Sequence, residues 1–176
     1  MTSSESAIKA YTQARKRFDN ALTKYIAKCK AQGRNTVVLT EDYEPFSSLS
    51  ETLLWGFSLL AQKGADQNDD FVLGLKYIYN IAKHEKETFH LFSICHPGVH
   101  FSLQVLDTED GPVIQDASME PELLFGDAND ITRKKQWAYQ RKCYMEHIKG
   151  HSISEILGIL DAELSKLYPN DIVFPT

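Results

Sequence analysis

The spacing of apolar residues along this chain constrains its fold more than any other feature. Over most of the sequence the apolar residues recur every three or four positions, which is the period of an amphipathic helix. Beyond Glu87 the period shortens to two, and Val99, Phe101, Leu103 and Val105 alternate with polar residues as in a half-buried strand. The sequence therefore predicts a mainly α fold: a helical bundle of about five helices, with a small three-stranded antiparallel β-meander inserted between helices 3 and 4.

The boundaries of these elements follow from capping and turn residues. We predict a single domain over residues 1–176, because this length supports one core and no linker interrupts it. Ser152 and Glu155 have capping-box spacing, and Gly64 and Gly150 interrupt helical patterns. The predicted helices cover about 4–32, 48–63, 70–87, 130–149 and 152–167, the meander covers about 88–116, and residues 35–46 and 117–128 are expected to form loops.

The meander is predicted from two turn signals. Phe89 to Cys95 is rich in aromatic and branched residues, and Pro97-Gly98 has the order that a type II turn favours. Asp110-Gly111-Pro112 offers the second turn, and Val113 to Gln115 the third strand. These signals predict a hairpin followed by one short strand.

Charge and cysteine usage narrow the class of protein. The net charge is −5, so the chain as a whole repels a phosphate backbone, and nucleic acid would need a local basic cluster. Three cysteines without a CxxC pair argue against a disulfide framework and a zinc ribbon. The polar N-terminus lacks a leader-like apolar run, and no window is long and apolar enough for a membrane span. We therefore expect a cytoplasmic protein with no membrane contact and no cofactor.

The predicted third helix has two apolar or aromatic faces. At 100° per residue, Phe71, Leu75, Ile78 and Tyr79 share one wide arc, while Leu73, Tyr77, Asn80 and His84 lie roughly opposite. A helix with two such faces is covered on both sides. The second cover is another helix, the inserted sheet or a second subunit, and the last of these alternatives predicts a homodimer.

Three stretches of the sequence resemble the HEPN group of bacterial helical bundles. They are Leu54-Trp55, the run from Gly74 to Glu85, and the run from Tyr144 to Ile153. Together with the helices that carry them, they cover about half the chain. The resemblance implies a helical bundle and an endoribonuclease function within toxin–antitoxin or abortive-infection systems, with the site at a dimer cleft.

The nuclease motif of that family is an arginine, commonly followed by asparagine, with a histidine four to six residues after the arginine. His84 and Asn80 match the histidine and its polar neighbour, whereas the arginine positions hold Tyr77, Ile78 and Tyr79. Cleavage of RNA without a metal needs a group with a pKa near 7 and a fixed cation for the phosphorane oxygens. The motif is thus incomplete.

The resemblance and the helix faces together yield a candidate site. His84 and Asn80 are the candidate catalytic residues, and Tyr77, Tyr79, Lys76 and Lys83 the candidate binding residues. The first hypothesis is a binding or regulatory member of a defence or toxin–antitoxin type system, with a protein or RNA partner. The alternatives are a metal-independent endoribonuclease that uses His84 and a non-catalytic protein-interaction domain.

Two further clusters have a functional and a structural interpretation. Cys143, His147 and His151 recur every four residues, as metal ligands on one helix face do, although Gly150 interrupts that helix. We predict no metal and leave this cluster open. The fourth helix has a basic face that fits either a nucleic-acid patch or a solvated surface balanced by acidic loops, and we favour the solvated surface. Its basic residues are Arg133, Lys134, Lys135, Arg141, Lys142 and Lys149.

Overall fold

A computed structural model describes residues 3–32, 43–65, 69–84, 95–108, 111–127 and 137–169. Their elements are α1 (Ser3–Gln32), α2 (Tyr43–Gln62), α3 (Asp70–His84), β1 (Cys95–Thr108), β2 (Gly111–Phe125), α4 (Ala138–His147) and α5 (Ile153–Leu167). The mainly helical fold with five helices is confirmed. None of the helices in these ranges has both the length and the apolar character needed to cross a membrane.

Helices α1 and α2 form an antiparallel pair that supplies much of the core. Ser4 near the start of α1 donates a hydrogen bond to Gln62 at the end of α2. At the other end of the pair, the rings of Tyr25 and Phe46 meet edge to face with centroids 6.4 Å apart. The inward positions of α1 recur every three or four residues, as the period predicts. They include Tyr11, Ala14, Phe18, Ala21, Tyr25 and Cys29.

Helix α2 begins five residues before its predicted start, so the last residues of the predicted 35–46 loop are helical. Pro45 is compatible with this start because the first turn of a helix has no hydrogen-bond partner for its N–H groups. Ser48 lies inside the helix, one turn after its start. Its hydroxyl donates to the carbonyl oxygens of Glu44 at 2.9 Å and Pro45 at 3.1 Å.

Two glycines allow helices to approach closely. A Cβ atom at Gly56 of α2 would lie 2.7 Å from Leu160 Cδ2 of α5. A Cβ atom at Gly74 of α3 would lie 2.9 Å from Cδ1 of Ile148, the residue that follows α4, and 3.3 Å from Cα of Tyr144 within α4. These contacts bring α5 against α2 and α4 against α3.

The described strands form a two-stranded antiparallel ribbon, so the prediction of a three-stranded meander is wrong for these residues. Pro97 and Gly98 lie inside β1, where a turn was predicted. Residues 117–125, predicted as loop, belong to β2. The predicted strand at 89–95 lies outside the described residues, apart from Cys95.

The end of β2 is anchored to the connection between α4 and α5. Phe125 donates its N–H to the His151 carbonyl at 3.1 Å, and Gly150 donates to the Phe125 carbonyl at 2.8 Å. Gly150 has φ +80°, a left-handed conformation that glycine adopts without strain. The Tyr144 hydroxyl donates to the carbonyl of Gly126 at 2.8 Å. Leu123 and Phe125 are consequently buried in the helical core.

Candidate functional site

The second face of α3 is covered by α4. The ring of Tyr77, which is buried, lies 5.5 Å from the ring of Tyr144 between centroids. The Asn80 amide nitrogen donates to Gln140 Oε1 at 2.8 Å. The prediction that α3 is covered on two sides is confirmed, and the cover is another helix. Because α4 already accounts for this face, the homodimer predicted from it stays a prediction without support from α3.

The other candidate binding residues do not form one surface. Tyr79 lies on the α2 side, where its ring centroid is 4.7 Å from that of Phe57. The Lys83 ammonium lies 5.4 Å from the centroid of the Tyr79 ring, within the range of a cation–π contact. Lys76 is partly buried, and Lys83 is exposed. Tyr77 and Tyr79 thus contact different helices.

Helix α3 ends at His84, whose imidazole lies outside the described part of the structure. The predicted pairing of His84 with Asn80 therefore stays a prediction. What the structure does describe is the Asn80 carboxamide, which is partly buried and bonded to Gln140. Ile78 and Tyr77, at two of the three positions where the family motif has arginine, are buried at 0% and 2% exposure.

Three side chains of α4 converge on Asp70, the first residue of α3. The Tyr139 hydroxyl donates to Asp70 Oδ1 at 3.3 Å, and the Cys143 sulfur lies 3.7 Å from the same oxygen. His147 Nε2 is 3.6 Å from Oδ2. We name Asp70, Tyr139, Cys143 and His147 the Asp70 cluster. None of the predicted sites included this cluster, although the spacing of four between its α4 residues was a signal for it in the sequence.

The electrostatics of the Asp70 cluster keep its thiol protonated. Burial of Cys143 raises its pKa, and the nearby Asp70 carboxylate raises it further. The same carboxylate raises the pKa of the exposed Tyr139 hydroxyl. A cysteine attacks as the thiolate, so a raised pKa makes Cys143 a poor nucleophile. The cluster is therefore a contact between helices rather than a cysteine–histidine catalytic pair.

Cys143, His147 and His151, whose metal-binding role the sequence left open, have separate partners in the described structure. Gly150 turns the chain between α4 and α5, and His151 Nδ1 lies 3.1 Å from Glu155 Oε2 on α5. His147 instead lies beside Asp70. Within the described ranges, no group of three or more histidine, cysteine, aspartate or glutamate residues is placed to hold a metal ion.

A largely apolar cleft of about 370 Å³ opens between α5 and the α2–α3 connection. Ile159, Glu163 and Leu167 line it from α5, and Leu60, Ala65, Asp69, Phe71 and Val72 from the opposite side. Ile159 is 41% exposed, which is unusual for a large apolar residue on a helix that otherwise buries its isoleucines. We call this feature the α5 cleft.

A polar network joins α1 to α5 inside the bundle. The Tyr11 hydroxyl donates to Asp161 Oδ1 at 2.5 Å, and Arg15 Nε donates to Asp161 Oδ2 at 3.1 Å. Arg15 also bonds to Asp19 one turn further along α1. The Arg15 side chain is only 15% exposed. A buried cation needs partners, and Asp161 is 146 residues away in sequence.

Burial dominates the titration of this network. Desolvation raises the pKa of Asp161, and the hydrogen bonds and charge of Tyr11 and Arg15 offset only part of that rise. The Tyr11 hydroxyl is also desolvated and faces Asp161, so its pKa lies far above the ordinary value. For Arg15, burial acts in the opposite direction, but the two carboxylates leave a net rise in pKa.

The basic residues of α4 and its end are largely balanced by carboxylates in the described ranges. Lys149 lies 2.8 Å from Asp127, and Lys142 lies 3.8 Å from Glu146. Arg133, Lys134 and Lys135 lie outside these ranges. The pairs agree with the solvated-surface interpretation of this helix.

Comparison of the chain with known families, curated proteins and solved structures finds no match. The fold and the contacts above are therefore the basis of the functional proposal.

Proposed function

We propose that the chain is a cytoplasmic, HEPN-like helical bundle that acts by binding, as a regulatory member of a bacterial defence or toxin–antitoxin type system. The observation that carries this proposal is the contact of α3 with α4. The amide of Asn80, a candidate residue of the nuclease site, donates a hydrogen bond to Gln140, and Tyr77 packs against Tyr144. A helix face that is occupied by such contacts supports a structural role rather than a catalytic one.

The chemistry of RNA cleavage points in the same direction. A metal-free nuclease needs a fixed cation for the phosphorane oxygens, and removing one such electrostatic partner typically lowers the rate by about 100-fold or more. The positions that would supply this cation include Tyr77 and Ile78, and both are buried in the bundle. A cation placed there would face apolar packing.

A protein partner fits the described surface better than RNA does. The net charge of −5 repels a phosphate backbone, and Lys142 and Lys149 already lie beside carboxylates. Six of the eight described residues that line the α5 cleft are apolar, the other two being Asp69 and Glu163, and its exposed Ile159 is the kind of residue that a partner protein covers. Binding through apolar contacts at this cleft is the proposed mode of action.

Incubation of the purified protein with structured RNA tests the non-catalytic part of the proposal. We expect no cleavage above background by the unmodified protein or by His84→Ala. Cleavage by the unmodified protein that His84→Ala abolishes would overturn the proposal and establish the endoribonuclease alternative.

A matched pair of α5 variants tests the binding part. Ile159→Glu places a charge in the α5 cleft, whereas Gly158→Glu places it one position away, where the structure shows open space. A partner that copurifies with the unmodified protein should be lost from Ile159→Glu and kept by Gly158→Glu. Equal retention by both variants contradicts binding at this cleft.

A further inference from the structure

The size of the α5 cleft limits what can enter it. An apolar cavity of about 150 Å³ holds one benzene-sized group. The 370 Å³ of the cleft therefore has room for about two large apolar side chains. Leu60 and Val72, which line it, are 2% and 8% exposed, whereas Ile159 is 41% exposed. The cleft thus combines a buried apolar lining with an apolar residue that a bound protein would cover.

The walls of the cleft are mainly helical. Six of its eight described lining residues lie in α2, α3 or α5, and the interior backbone groups of a helix bond within that helix. A partner strand needs the open edge of a sheet, whereas an amphipathic helix binds in a groove through its apolar side chains. Two apolar side chains three or four residues apart lie on one face of such a helix. The cleft therefore fits about one turn of a partner helix.

Carboxylates lie on both walls of the cleft. Glu163 lies on α5 between Ile159 and Leu167, and Asp69 lies on the opposite wall, immediately before α3. The described lining includes no lysine, arginine or histidine. Along α5, Glu155 precedes Ile159 by one turn, so acidic and apolar residues alternate on this side of the helix. A partner with cations beside its apolar side chains complements this pattern.

Both carboxylates of the cleft have capacity for a further hydrogen bond. Asp69 accepts from the N–H of Val72 at 3.0 Å, a cap that fixes the position of its side chain. Glu163 accepts from Lys166 at 2.5 Å, but the Lys166 side chain is 69% exposed, and such exposed pairs contribute little to stability. A carboxylate has two oxygens with about four acceptor positions. A lysine or arginine of a partner can therefore bind without breaking either contact.

We propose that the α5 cleft binds an amphipathic helix of a partner protein, with two large apolar side chains in the cleft and lysine or arginine residues facing Asp69 and Glu163. The proposal rests on the binding role assigned to this cleft above and adds the chemistry of the partner. Because the ion pairs are exposed, binding should weaken as salt is added.

Fluorescence anisotropy with two synthetic helices tests the proposal. Both helices carry a fluorescein label and the same two leucines one turn apart, with lysines beside the leucines in one helix and glutamates in the other. The lysine helix should bind roughly 10-fold more tightly, as two exposed ion pairs allow. Equal affinity overturns the proposal but leaves apolar binding at the cleft in place. Absence of binding by either helix overturns the proposal together with apolar binding at the cleft.

A matched pair of substitutions separates the cleft from the net charge of the protein. The side chains of Glu163 and Glu51 are each 42% exposed and paired with a basic residue, but of the two only Glu163 lines the cleft. The preference for the lysine helix should fall about 3-fold in Glu163→Gln, the effect of one exposed pair, and stay unchanged in Glu51→Gln. An equal fall in both variants, or none in Glu163→Gln, overturns the proposal.

Amide hydrogen exchange locates the bound lysine helix on the unmodified protein. Binding should slow exchange in residues 159–167 and 69–72, which contain most of the cleft lining, and leave α4 unchanged. Slowed exchange that spares both of these ranges would place the helix elsewhere and overturn the proposal.

Discussion

Asp161 shows how one residue acquires its role from its surroundings. Its carboxylate sits on α5, accepts from Tyr11 and Arg15 of α1, and is 15% exposed. Replacing one partner of a buried hydrogen bond leaves the other partner without a hydrogen bond. The resulting loss of stability exceeds the net contribution of the bond to stability. The network therefore fixes the position of α1 against α5 more than it adds net stability.

The Tyr11 hydroxyl should be needed for stability, and the exposed Tyr139 hydroxyl should not. Tyr11→Phe removes the 2.5 Å bond to Asp161 and should lower the free energy of unfolding by about 1 to 3 kcal/mol. Urea denaturation measures the loss. Tyr139→Phe, which removes a 3.3 Å contact to Asp70 at the surface, should change it little. Equal losses in both variants would contradict the assigned role of Asp161.

The raised pKa of Asp161 predicts a pH dependence with a definite sign. Above the ordinary value of 3.8, and up to its raised folded value, the folded state binds more protons than the unfolded state. Stability relative to Asp161→Asn should therefore fall as the pH rises through that window. Urea denaturation of both proteins from about pH 4 upward measures the difference, in which the titrations of other groups cancel. An increase with rising pH in the stability of the unmodified protein relative to Asp161→Asn would contradict the prediction.

At the scale of elements, the contact of α3 with α4 decides what the candidate site can do. Gly74 brings the helix backbones together, because a Cβ atom there would lie 3.3 Å from Tyr144 Cα. This approach places Tyr77 against Tyr144 and Asn80 within bonding distance of Gln140. The periodicity of α3 predicts a second covered face, but a periodic pattern does not identify which element covers it.

Gly74→Val should separate α3 from α4. The added side chain meets Ile148 and the α4 backbone, and overpacking of this kind typically costs about 1 to 3 kcal/mol. Gly158→Ala, at an open helical position, should instead stabilise the protein by up to about 1 kcal/mol. Thermal denaturation of both variants provides the comparison. Stabilisation of both would show that the helices are not in close contact at Gly74.

At the scale of the whole molecule, α5 connects the parts of the fold. It bonds to α1 through Asp161, packs against α2 at Gly56, and begins where the end of β2 is anchored. Its buried face and its exposed Ile159 lie on one short helix. A change on this helix can therefore affect either the core or the α5 cleft.

Adjacent truncations on α5 should separate these two effects. Leu160→Ala empties a fully buried position beside Gly56 and should cost about 2 to 5 kcal/mol, which is a large part of a typical folding free energy. Ile159→Ala, one position earlier and 41% exposed, should cost much less. Chemical denaturation at one pH compares them. Similar losses at both positions would contradict the described burial of α5.

The sequence alone determined the helices and part of their ends. Apolar residues at helical spacing placed α1, α3 and α5, and the Ser152–Glu155 capping box marked the start of α5, where the Ser152 hydroxyl accepts from Glu155 at 3.0 Å. The long β2 was missed although Ala117, Met119 and Leu123 stand at strand spacing, because the acidic residues and Pro121 among them favour a loop.

The tertiary structure decided every contact that bears on function. Asn80 bonds to Gln140, 60 positions away in the sequence, and Arg15 bonds to Asp161, 146 positions away. Local spacing determines which residues share a helix face, since that depends only on backbone geometry. Which helix faces meet depends on the packing of distant segments. The burial of Tyr77 and the convergence of α4 side chains on Asp70 are therefore visible only in the tertiary structure.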